Sequence, residues 1–249
     1  MFLIDYKVVI PTYKRAGKVK TLKIFSNAIL ACHEFEAEEY KKAYPNNKLM
    51  ILPDNIRGNM AKIRNFIREN SPSKYLIMAD DDISNIGYFE NNERYIFSQK
   101  HLDIKIKNGF EIAEELGTIL WGLNVQSDKK FYREYSPISL TSVVLGTFCC
   151  HIVTDENLKK IRYDERLSLN EDYDFALQVL LEYRKILRFN KYFYEADHLT
   201  LKGGCASYRT LKEEEKQAEI MIKKWGNKIV KYDLKKSTNP IIKSPLKGI

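Results

Sequence analysis

Residues 75–82 read YLIMADDD, an apolar run that leads directly into three consecutive aspartates. A short apolar run that ends at a turn-forming cluster predicts a buried strand. Two further stretches have the same form, YKVVIPT at residues 6–12 and KLMIL at residues 48–52. The apolar spacing within residues 60–67 predicts a helix. The first 80 residues therefore follow a β-α-β-α-β order, which is typical of an α/β fold.

A polar segment follows each of these predicted strands. The segments are PTYKR at residues 11–15, PDNIRGN at residues 53–59 and the aspartates 80–82. Parallel strands joined by right-handed crossovers end at the same edge of a sheet, and α/β proteins bind their ligands there. We therefore expect the three segments to converge on one crevice.

The remainder of the chain predicts a mixed arrangement of strands and helices. Its predicted elements are a helix at 109–117, strands at 119–123 and 139–147, a helix at 170–183, a strand pair within 184–195, a helix at 211–225 and an irregular tail after 240. The predicted fold is α/β, with a mostly parallel sheet flanked by helices and a mixed second half. We expect one domain over residues 1–222, followed by a basic helix end and tail over residues 223–249.

The run Asp80-Asp81-Asp82 brings like charges together. Two unit charges about 4 Å apart repel by roughly 1 kcal/mol in water and by about 4 kcal/mol near a protein surface. A divalent cation removes this repulsion, and Mg²⁺ or Mn²⁺ commonly binds one or two carboxylates together with substrate phosphates. The alternative is a turn in which the aspartates bond to their own backbone.

Cationic side chains lie in or beside the same segments, at Arg15, Arg57, Lys62 and Arg64. Beside a metal-binding carboxylate they would supply donors to phosphate oxygens. Each of them alone is better explained as a solvated surface charge. Their common position after the strand ends is what favours a phosphate-binding crevice.

Four motifs resemble those of the GT-A fold glycosyltransferases: VVIPTYKR at 8–15, GNMAKIRN at 58–65, ADDDI at 79–83 and NEDYD at 170–174. The resemblance covers roughly residues 8–183. It implies a Rossmann-like GT-A domain, a nucleotide-diphosphate sugar as donor, with a UDP-sugar as the leading expectation, and Mn²⁺ or Mg²⁺ bound by Asp82. Together with the cations above, the expected donor-binding residues are Thr12, Arg15, Asp54, Arg57, Lys62, Arg64, Asp80 and Asp81.

The pair Glu171-Asp172 resembles the acidic motif that supplies the general base in inverting members of that fold. A base there would accept the proton of an acceptor hydroxyl. The spacing of Ser168 and Glu171 also matches a capping box, so Glu171 has a second explanation as a helix start. Asp172 is not needed by such a cap. His198 resembles the late histidine that binds metal in some GT-A enzymes, and a structural histidine is the alternative.

More narrowly, IPTYKR at 10–15, RGNMAKIRN at 57–65 and GGCASYR at 203–209 resemble bacteriophage glycosyltransferases associated with TET-type base hydroxylases. That resemblance implies transfer of a sugar to a 5-hydroxymethylated pyrimidine in DNA. The leading alternative is a cytosolic glycan or lipid-linked-sugar transferase. Two alternatives of other classes are a nucleotidyltransferase, against which the single Gly17 after the first strand argues, and a non-catalytic nucleic-acid-binding module.

The basic character of the chain is concentrated at its C-terminal end. Of the formal net charge of +8, residues 223–249 carry +7, from eight lysines and one aspartate. This segment predicts either a solvated, fraying terminus or an arm that binds phosphates. The expected nucleic-acid contacts are Lys223, Lys224, Lys228, Lys231, Lys235 and Lys236.

The cysteine pattern and the hydropathy predict the compartment. The four cysteines include the adjacent Cys149 and Cys150 and have no C-x-x-C spacing, which fits neither a zinc ribbon nor a disulfide framework. No run of about 18 apolar residues and no signal-peptide core is present. We therefore expect reduced thiols and a cytoplasmic protein, in the host cytoplasm if the chain is viral.

Overall fold

A ten-stranded sheet forms the centre of the computed structural model, which describes residues 4–197, 210–234 and 237–246. Nine strands follow one another in the order β3-β2-β1-β4-β9-β7-β10-β5-β6, and β8 pairs with β10. The strands of this sheet are β1 (Tyr6–Pro11), β2 (Ile29–His33), β3 (Leu49–Leu52), β4 (Tyr75–Ala79), β5 (Ile83–Glu90), β6 (Glu93–Ile96), β7 (Leu120–Asn124), β8 (Ile138–Ser139), β9 (Phe148–Ile152) and β10 (Leu187–Ala196).

The first half of the sheet is entirely parallel. β1 pairs with β2 on one side and with β4 on the other, and β2 pairs with β3. All five residues of β4 are buried, as expected of a strand covered on both faces. The predicted strands at 6–12, 48–52 and 75–79 are confirmed. β2 was not predicted, because its sequence ILACH is short and includes Ala, a residue with little intrinsic preference for strands.

The second half of the sheet is mixed, as predicted. β9 pairs antiparallel with both β4 and β7, whereas β7 and β10 are parallel. The strand predicted at 139–147 is wrong: only Ile138–Ser139 pairs there, and the buried strand follows at Phe148–Ile152. The strand pair predicted within 184–195 is a single ten-residue strand, β10.

An unpredicted hairpin, β5–β6, follows the aspartate run. Glu90 and Glu93 pair across a two-residue turn formed by Asn91 and Asn92. Both asparagines have positive φ, at 51° and 57°. This is the conformation of the turn that matches the right-handed twist of strands, and asparagine tolerates it. β5 also pairs with β10, so the hairpin forms the edge of the sheet next to β10.

Helices cover both faces of the sheet. One core cluster includes Leu102, Ile106 and Phe110 of α3, and the other includes Ile67 of α2 and Phe175 of α5. Every helix in the described residues is too short or too polar to span a bilayer. The helices are α1 (Ala37–Ala43), α2 (Met60–Glu69), α3 (Gln99–Leu116), α4 (Asp155–Lys160), α5 (Glu171–Tyr183) and α6 (Leu211–Trp225).

The C-terminal segment forms ordered structure. After α6, strands β11 (Val230–Asp233) and β12 (Ser237–Ile242) form an antiparallel hairpin. Val230 is fully buried in a third apolar cluster that it shares with Leu177 of α5 and Met221 of α6. The irregular tail predicted after residue 240 begins two residues later, because β12 continues through the buried Pro240 to Ile242, and residues 243–246 have no regular structure.

Candidate active site

The segments that follow β1 and β4 are joined directly. Thr12 Oγ1 donates a hydrogen bond to Asp81 Oδ2 at 2.7 Å, and Arg15 forms an ion pair with the same carboxylate. Tyr40 OH lies 2.9 Å from Thr12 Oγ1 and accepts a hydrogen bond from the backbone N of Arg15 at 3.0 Å. Arg15 Nη1 is also 3.9 Å from Asp82 Oδ2. The expected convergence of these two segments is present in the structure.

The carboxylate of Asp81 is engaged within the protein. Asp81 is 4% exposed, and burial raises its pKa to about 6, although Arg15 and Thr12 lower it. Thr12, Arg15 and Asp81 were all expected to contact the donor. In the structure their side chains are buried and bond to one another.

The backbone of the aspartate run is held by the short helical turn at residues 20–23. The backbone N of Lys20 donates to the carbonyl of Asp81 at 2.8 Å. Thr21 Oγ1 donates to the carbonyl of Asp80 at 2.5 Å and accepts from the backbone N of Ile83 at 3.0 Å. The conformation of the run therefore depends on Thr21, which the sequence had not marked as important.

Asp82 lies beside the end of β10. Its side chain is 9% exposed, and its carbonyl accepts a hydrogen bond from the backbone N of Asp197 at 3.2 Å. Asp197 also pairs with Lys20. His198, the other expected metal ligand, lies outside the described residues. Within the part of the chain that is described, no group of three or more His, Cys, Asp or Glu residues is arranged to hold a metal ion.

A buried arginine connects the aspartate run to the acidic pair. Arg64 Nη2 lies 3.5 Å from Asp80 Oδ1, and its Nε donates to Glu171 Oε1 at 3.0 Å. Gly146 leaves room for the guanidinium, since a Cβ atom at that position would collide with it. The sequence predicted Arg64 as a phosphate contact. In the structure it lies between two carboxylates and links the two acidic parts of the site.

α5 begins at Glu171, and the predicted capping box is wrong. The N-cap residue is Asn170, whose side chain makes no capping hydrogen bond. Ser168 Oγ instead lies 3.4 Å from Glu213 Oε1 on α6. The position of Glu171 therefore follows from its contact with Arg64, in addition to the favourable interaction of an acid with a helix N-terminus.

Both carboxylates of the Glu171–Asp172 pair accept hydrogen bonds from the protein. Asp172 Oδ2 accepts a hydrogen bond from the backbone N of Gly146 at 2.9 Å, and its Oδ1 accepts from the backbone N of Tyr173 at 2.8 Å. Burial, and then the carboxylate of Asp172, raise the pKa of Glu171 to about 8, although Arg64 lowers it. Burial also raises the pKa of Asp172. Raised carboxyl pKa values at a cleft are typical of groups that transfer protons.

An aromatic cluster lies at the ends of β1 and β2. His33 stacks on Phe35 with ring centroids 6.0 Å apart, and Tyr13 meets His33 and Phe35 edge-on at 6.0 and 6.2 Å. Phe35 is 52% exposed. Asp54 Oδ1 lies 3.8 Å from His33 Nδ1, and the Arg57 guanidinium lies over the Phe35 ring at 5.4 Å. The segment after β3 thus joins the segment after β1 through these rings.

Sequence reasoning did not identify Tyr13, His33 or Phe35 as site residues. His33 and Phe35 were missed because β2 was not predicted, so the residues at its end were not assigned to the crevice, whereas Tyr13 lies in the segment assigned after β1 but was not singled out. Lys62, another expected donor contact, lies in the first turn of α2, where its backbone N bonds to the N-cap residue Asn59 at 3.1 Å. Its side chain is partly exposed.

The basic C-terminal lysines differ in their surroundings. Lys223, Lys228 and Lys231 are exposed. Lys224 Nζ lies 2.9 Å from Asp164 Oδ2 and 2.8 Å from Asp174 Oδ1, so its charge is used inside the domain. Lys235 and Lys236 lie outside the described residues.

A model of the TET-associated glycosyltransferase family matches residues 6–204. The chain belongs to this family. Minor teichoic acid biosynthesis protein GgaB of Bacillus subtilis (strain 168) is 24% identical to this TET-associated glycosyltransferase over 183 residues. That match covers 72% of the chain and 19% of GgaB, so the chain spans about a fifth of the length of this relative.

Two solved structures share the fold of this family member. S. aureus TarS (residues 1–349) superposes with a TM-score of 0.51 at 13% identity and covers 90% of this chain and 72% of its own. The mannosyltransferase PcManGT of Pyrobaculum calidifontis, in complex with GDP-Man and Mn²⁺, superposes with a TM-score of 0.53 at 10% identity and covers 90% and 63%. The GT-A fold expected from the sequence is confirmed.

The raised pKa of Glu171 predicts that the protein loses stability as the pH rises. Its pKa moves from an ordinary 4.5 in the unfolded chain to about 8 in the folded protein, so the folded state binds more protons between these values. The unfolding free energy of the wild type should fall between pH 5 and pH 8. We expect this fall to be smaller in Glu171→Gln, by about 1 kcal/mol or more. Urea denaturation at both pH values measures this.

The matched control is Glu38→Gln, which neutralises an exposed glutamate of α1. Its pH dependence should follow that of the wild type. Equal pH dependence in Glu171→Gln and the wild type would mean that Glu171 is ionised throughout this range in the folded protein.

Proposed function

We propose that this protein is a metal-dependent glycosyltransferase that moves a sugar from a nucleotide-diphosphate donor to a hydroxymethyl group on a pyrimidine base in DNA. The observation that carries the proposal is the position of Arg64. Its buried guanidinium contacts both the aspartate run after β4 and the acidic pair of α5. Donor-binding acids and a candidate base are thereby held at one sheet edge. Family membership and the GT-A fold support the same reaction class.

The nucleotide is assigned to the crevice between β1 and β3. The exposed ring of Phe35 provides a face on which a nucleobase stacks, with Tyr13 and His33 behind it. Asp54 is exposed beside His33 and is assigned to the polar edge of the base or ribose. Asp80, whose side chain is 32% exposed, is assigned to the ribose.

The diphosphate is assigned to the space beside Asp82. Among the expected donor contacts, Arg57 and Lys62 have solvent-accessible side chains, whereas Arg15 and Arg64 bond to carboxylates. Phosphate oxygens need such donors together with a dication. Asp82 and His198 are the proposed ligands of Mn²⁺ or Mg²⁺. The carboxylate of Asp82 suits a hard cation, and the bound metal would neutralise the charge of the departing diphosphate.

Asp172 is the proposed general base. One of its oxygens accepts the backbone N of Gly146, which orients the carboxylate at the start of α5. In an inverting transfer, the base accepts the acceptor hydroxyl proton as the acceptor oxygen bonds to the anomeric carbon and the nucleoside diphosphate leaves. Glu171 is assigned to the support of this base, because its carboxylate is paired with Arg64.

We expect Asp172→Asn to lower kcat by about 10²-fold or more while the donor Kd changes less than about two-fold, because the shape is kept and the basicity is lost. Asp155→Asn is the matched control, since Asp155 is an exposed aspartate in the first turn of α4. Single-turnover rates and equilibrium donor binding measure the two quantities. A variant with wild-type kcat would remove Asp172 from the reaction.

Asp82→Ala should abolish both transfer and metal binding, since it removes the carboxylate assigned to the dication. Mn²⁺ binding, followed by electron paramagnetic resonance, provides a readout that is independent of activity. EDTA should stop the wild-type enzyme, and added Mn²⁺ should restore it. Asp155→Ala should behave as the wild type in both assays, and a chelated wild-type enzyme that keeps its full rate would refute the metal proposal.

The acceptor is proposed to be 5-hydroxymethylated DNA for a chemical reason. A hydroxymethyl group supplies a primary hydroxyl for the base to activate, and an unmodified pyrimidine offers no comparable nucleophile. A base within a duplex must also leave the stack, at a cost of a few kcal/mol, so contacts with the DNA backbone would assist. The exposed lysines Lys223, Lys228 and Lys231 are the proposed backbone contacts, with Lys235 and Lys236.

A glycan acceptor is the second candidate, and one observation favours it. GgaB, which matches 72% of this chain, is described as a protein of minor teichoic acid biosynthesis. Polyol-phosphate chains also combine hydroxyl nucleophiles with backbone phosphates. The exposed lysines would serve either polyanion, so only the acceptor assay separates the two candidates.

We expect oligonucleotides that contain 5-hydroxymethylcytosine or 5-hydroxymethyluracil to gain the mass of one sugar, and matched cytosine, 5-methylcytosine and thymine oligonucleotides to gain none. A panel of UDP- and GDP-sugars is supplied with Mn²⁺, and digestion to nucleosides with mass analysis reads the result. Poly(glycerol phosphate) and poly(ribitol phosphate) are tested in parallel. Sugar on a polyol phosphate, with none on any hydroxymethylated base, would establish the glycan alternative.

A further inference from the structure

α6 contacts α5 immediately after the acidic pair. Asp174 is fully buried, three residues after Glu171. Its Oδ1 accepts a hydrogen bond from Trp225 Nε1 at 2.8 Å, and its Oδ2 accepts from Lys224 Nζ at 2.9 Å. Gln178 Nε2, one turn later in α5, donates to Oδ2 at 2.7 Å. The C-terminal end of α6 is thus bonded to the first turn of α5 through the buried carboxylate of Asp174.

α6 also holds the segment that leads into the acidic pair. Lys224 Nζ lies 2.9 Å from Asp164 Oδ2, so one ammonium group bridges two carboxylates on either side of residues 165–173. The buried Gln217 donates to the carbonyl of Arg166 at 3.3 Å and accepts from the backbone N of Leu169 at 3.5 Å. The backbone is therefore anchored both before and after residues 171–172.

Removal of the Lys224 charge would affect both anchors. Lys224 is partly exposed, but Asp174 is fully buried, so removing the ammonium would leave that carboxylate without its cation and without access to water, held only by the hydrogen bonds from Trp225 and Gln178. The first turn of α5 would then have to shift to expose that carboxylate. Because Asp172 belongs to the same turn, its hydrogen bond to the backbone N of Gly146 would shift with it.

We propose that Lys224 and Trp225 are positioning residues that, through Asp174, orient the Glu171–Asp172 pair together with Arg64 and Gly146. This rests on the proposed function, in which Asp172 is the base. The consequence is that α6 affects the rate of sugar transfer, because it holds α5 in position. We call the contacts of Lys224 and Trp225 with Asp174 the clamp. Lys224 is assigned to this clamp and not to the surface that contacts an acceptor.

Base catalysis is sensitive to small displacements, since the base must lie within hydrogen-bond distance of the proton that it takes. The donor site is formed by other elements, after β1, β3 and β4. A loosened clamp should therefore lower kcat and leave donor binding unchanged. A purely structural role would instead lower the amount of folded enzyme and leave kcat per folded molecule unchanged.

The test compares Lys224→Met, Lys224→Arg and the control Lys212→Met in the wild-type background. Lys212 lies in the same helix and is exposed, so its substitution removes the same charge without touching α5. Donor turnover is measured as kcat and KM per folded molecule, with the folded fraction taken from thermal unfolding. We expect Lys224→Met to lower kcat about ten-fold or more with KM within two-fold, Lys224→Arg to recover at least half of kcat, and Lys212→Met to match the wild type.

Trp225→Phe is the second variant, for the case that Lys224→Met does not fold. It removes only the Nε1–H donor to Asp174 and keeps an aromatic ring in the C-terminal apolar cluster. We expect a three- to ten-fold lower kcat at unchanged KM. A wild-type kcat per folded molecule in Lys224→Met, or in Trp225→Phe where the first variant does not fold, would overturn the proposal.

Asp172→Asn, assayed in parallel, separates this inference from the proposed function. If Asp172→Asn keeps the wild-type rate, Asp172 is not the base and the proposed function fails at that residue. If Asp172→Asn is impaired and Lys224→Met is not, the base assignment stands and the clamp is refuted. Impairment of both at unchanged donor KM supports the two together.

Discussion

The candidate site depends on one buried charge, the guanidinium of Arg64. It lies in α2, in contact with Asp80 from the end of β4 and with Glu171 from the start of α5. A cation placed out of water is stable only beside such oxygen acceptors. The three elements therefore hold one another in register. Gly146 completes the arrangement, because a larger side chain would displace the guanidinium.

Around this link, the structure divides the charged residues of the crevice into two groups. One group is buried and mutually bonded: Thr12, Arg15 and Asp81 on one side, Arg64 and Glu171 on the other. The other group has solvent-accessible side chains and includes Asp54, Arg57, Lys62 and Asp80. Residues adjacent in sequence, such as Asp80 and Asp81, thus belong to different groups. A rigid buried group keeps the accessible group in place, which is the condition for binding a charged ligand without reorganisation.

The C-terminal segment has a similar division. Its lysines look alike in the sequence and Lys224, Lys228 and Lys231 are all exposed, yet Lys224 pairs with the two acids Asp164 and Asp174. The hairpin β11–β12 and α6 bury apolar side chains against α5. A segment that composition alone describes as a basic tail is therefore part of the packed structure, and its net charge says little about which lysines are available to a partner.

The sequence by itself determined the strands β1, β3 and β4, the helices α5 and α6, and the polar segments at the strand ends. These follow from local hydrophobic periodicity and from the rule that parallel strands share one carboxyl edge. Nothing in the local pattern marked β2, although the Asn91-Asn92 turn did offer a signal for the β5–β6 hairpin. Only the tertiary structure decided that Phe35 joins the crevice, that Arg64 faces carboxylates and that Lys224 clamps α5. Each of these depends on which distant residues meet at a buried position, and the partner of a buried charge is set by packing and not by its neighbours in sequence.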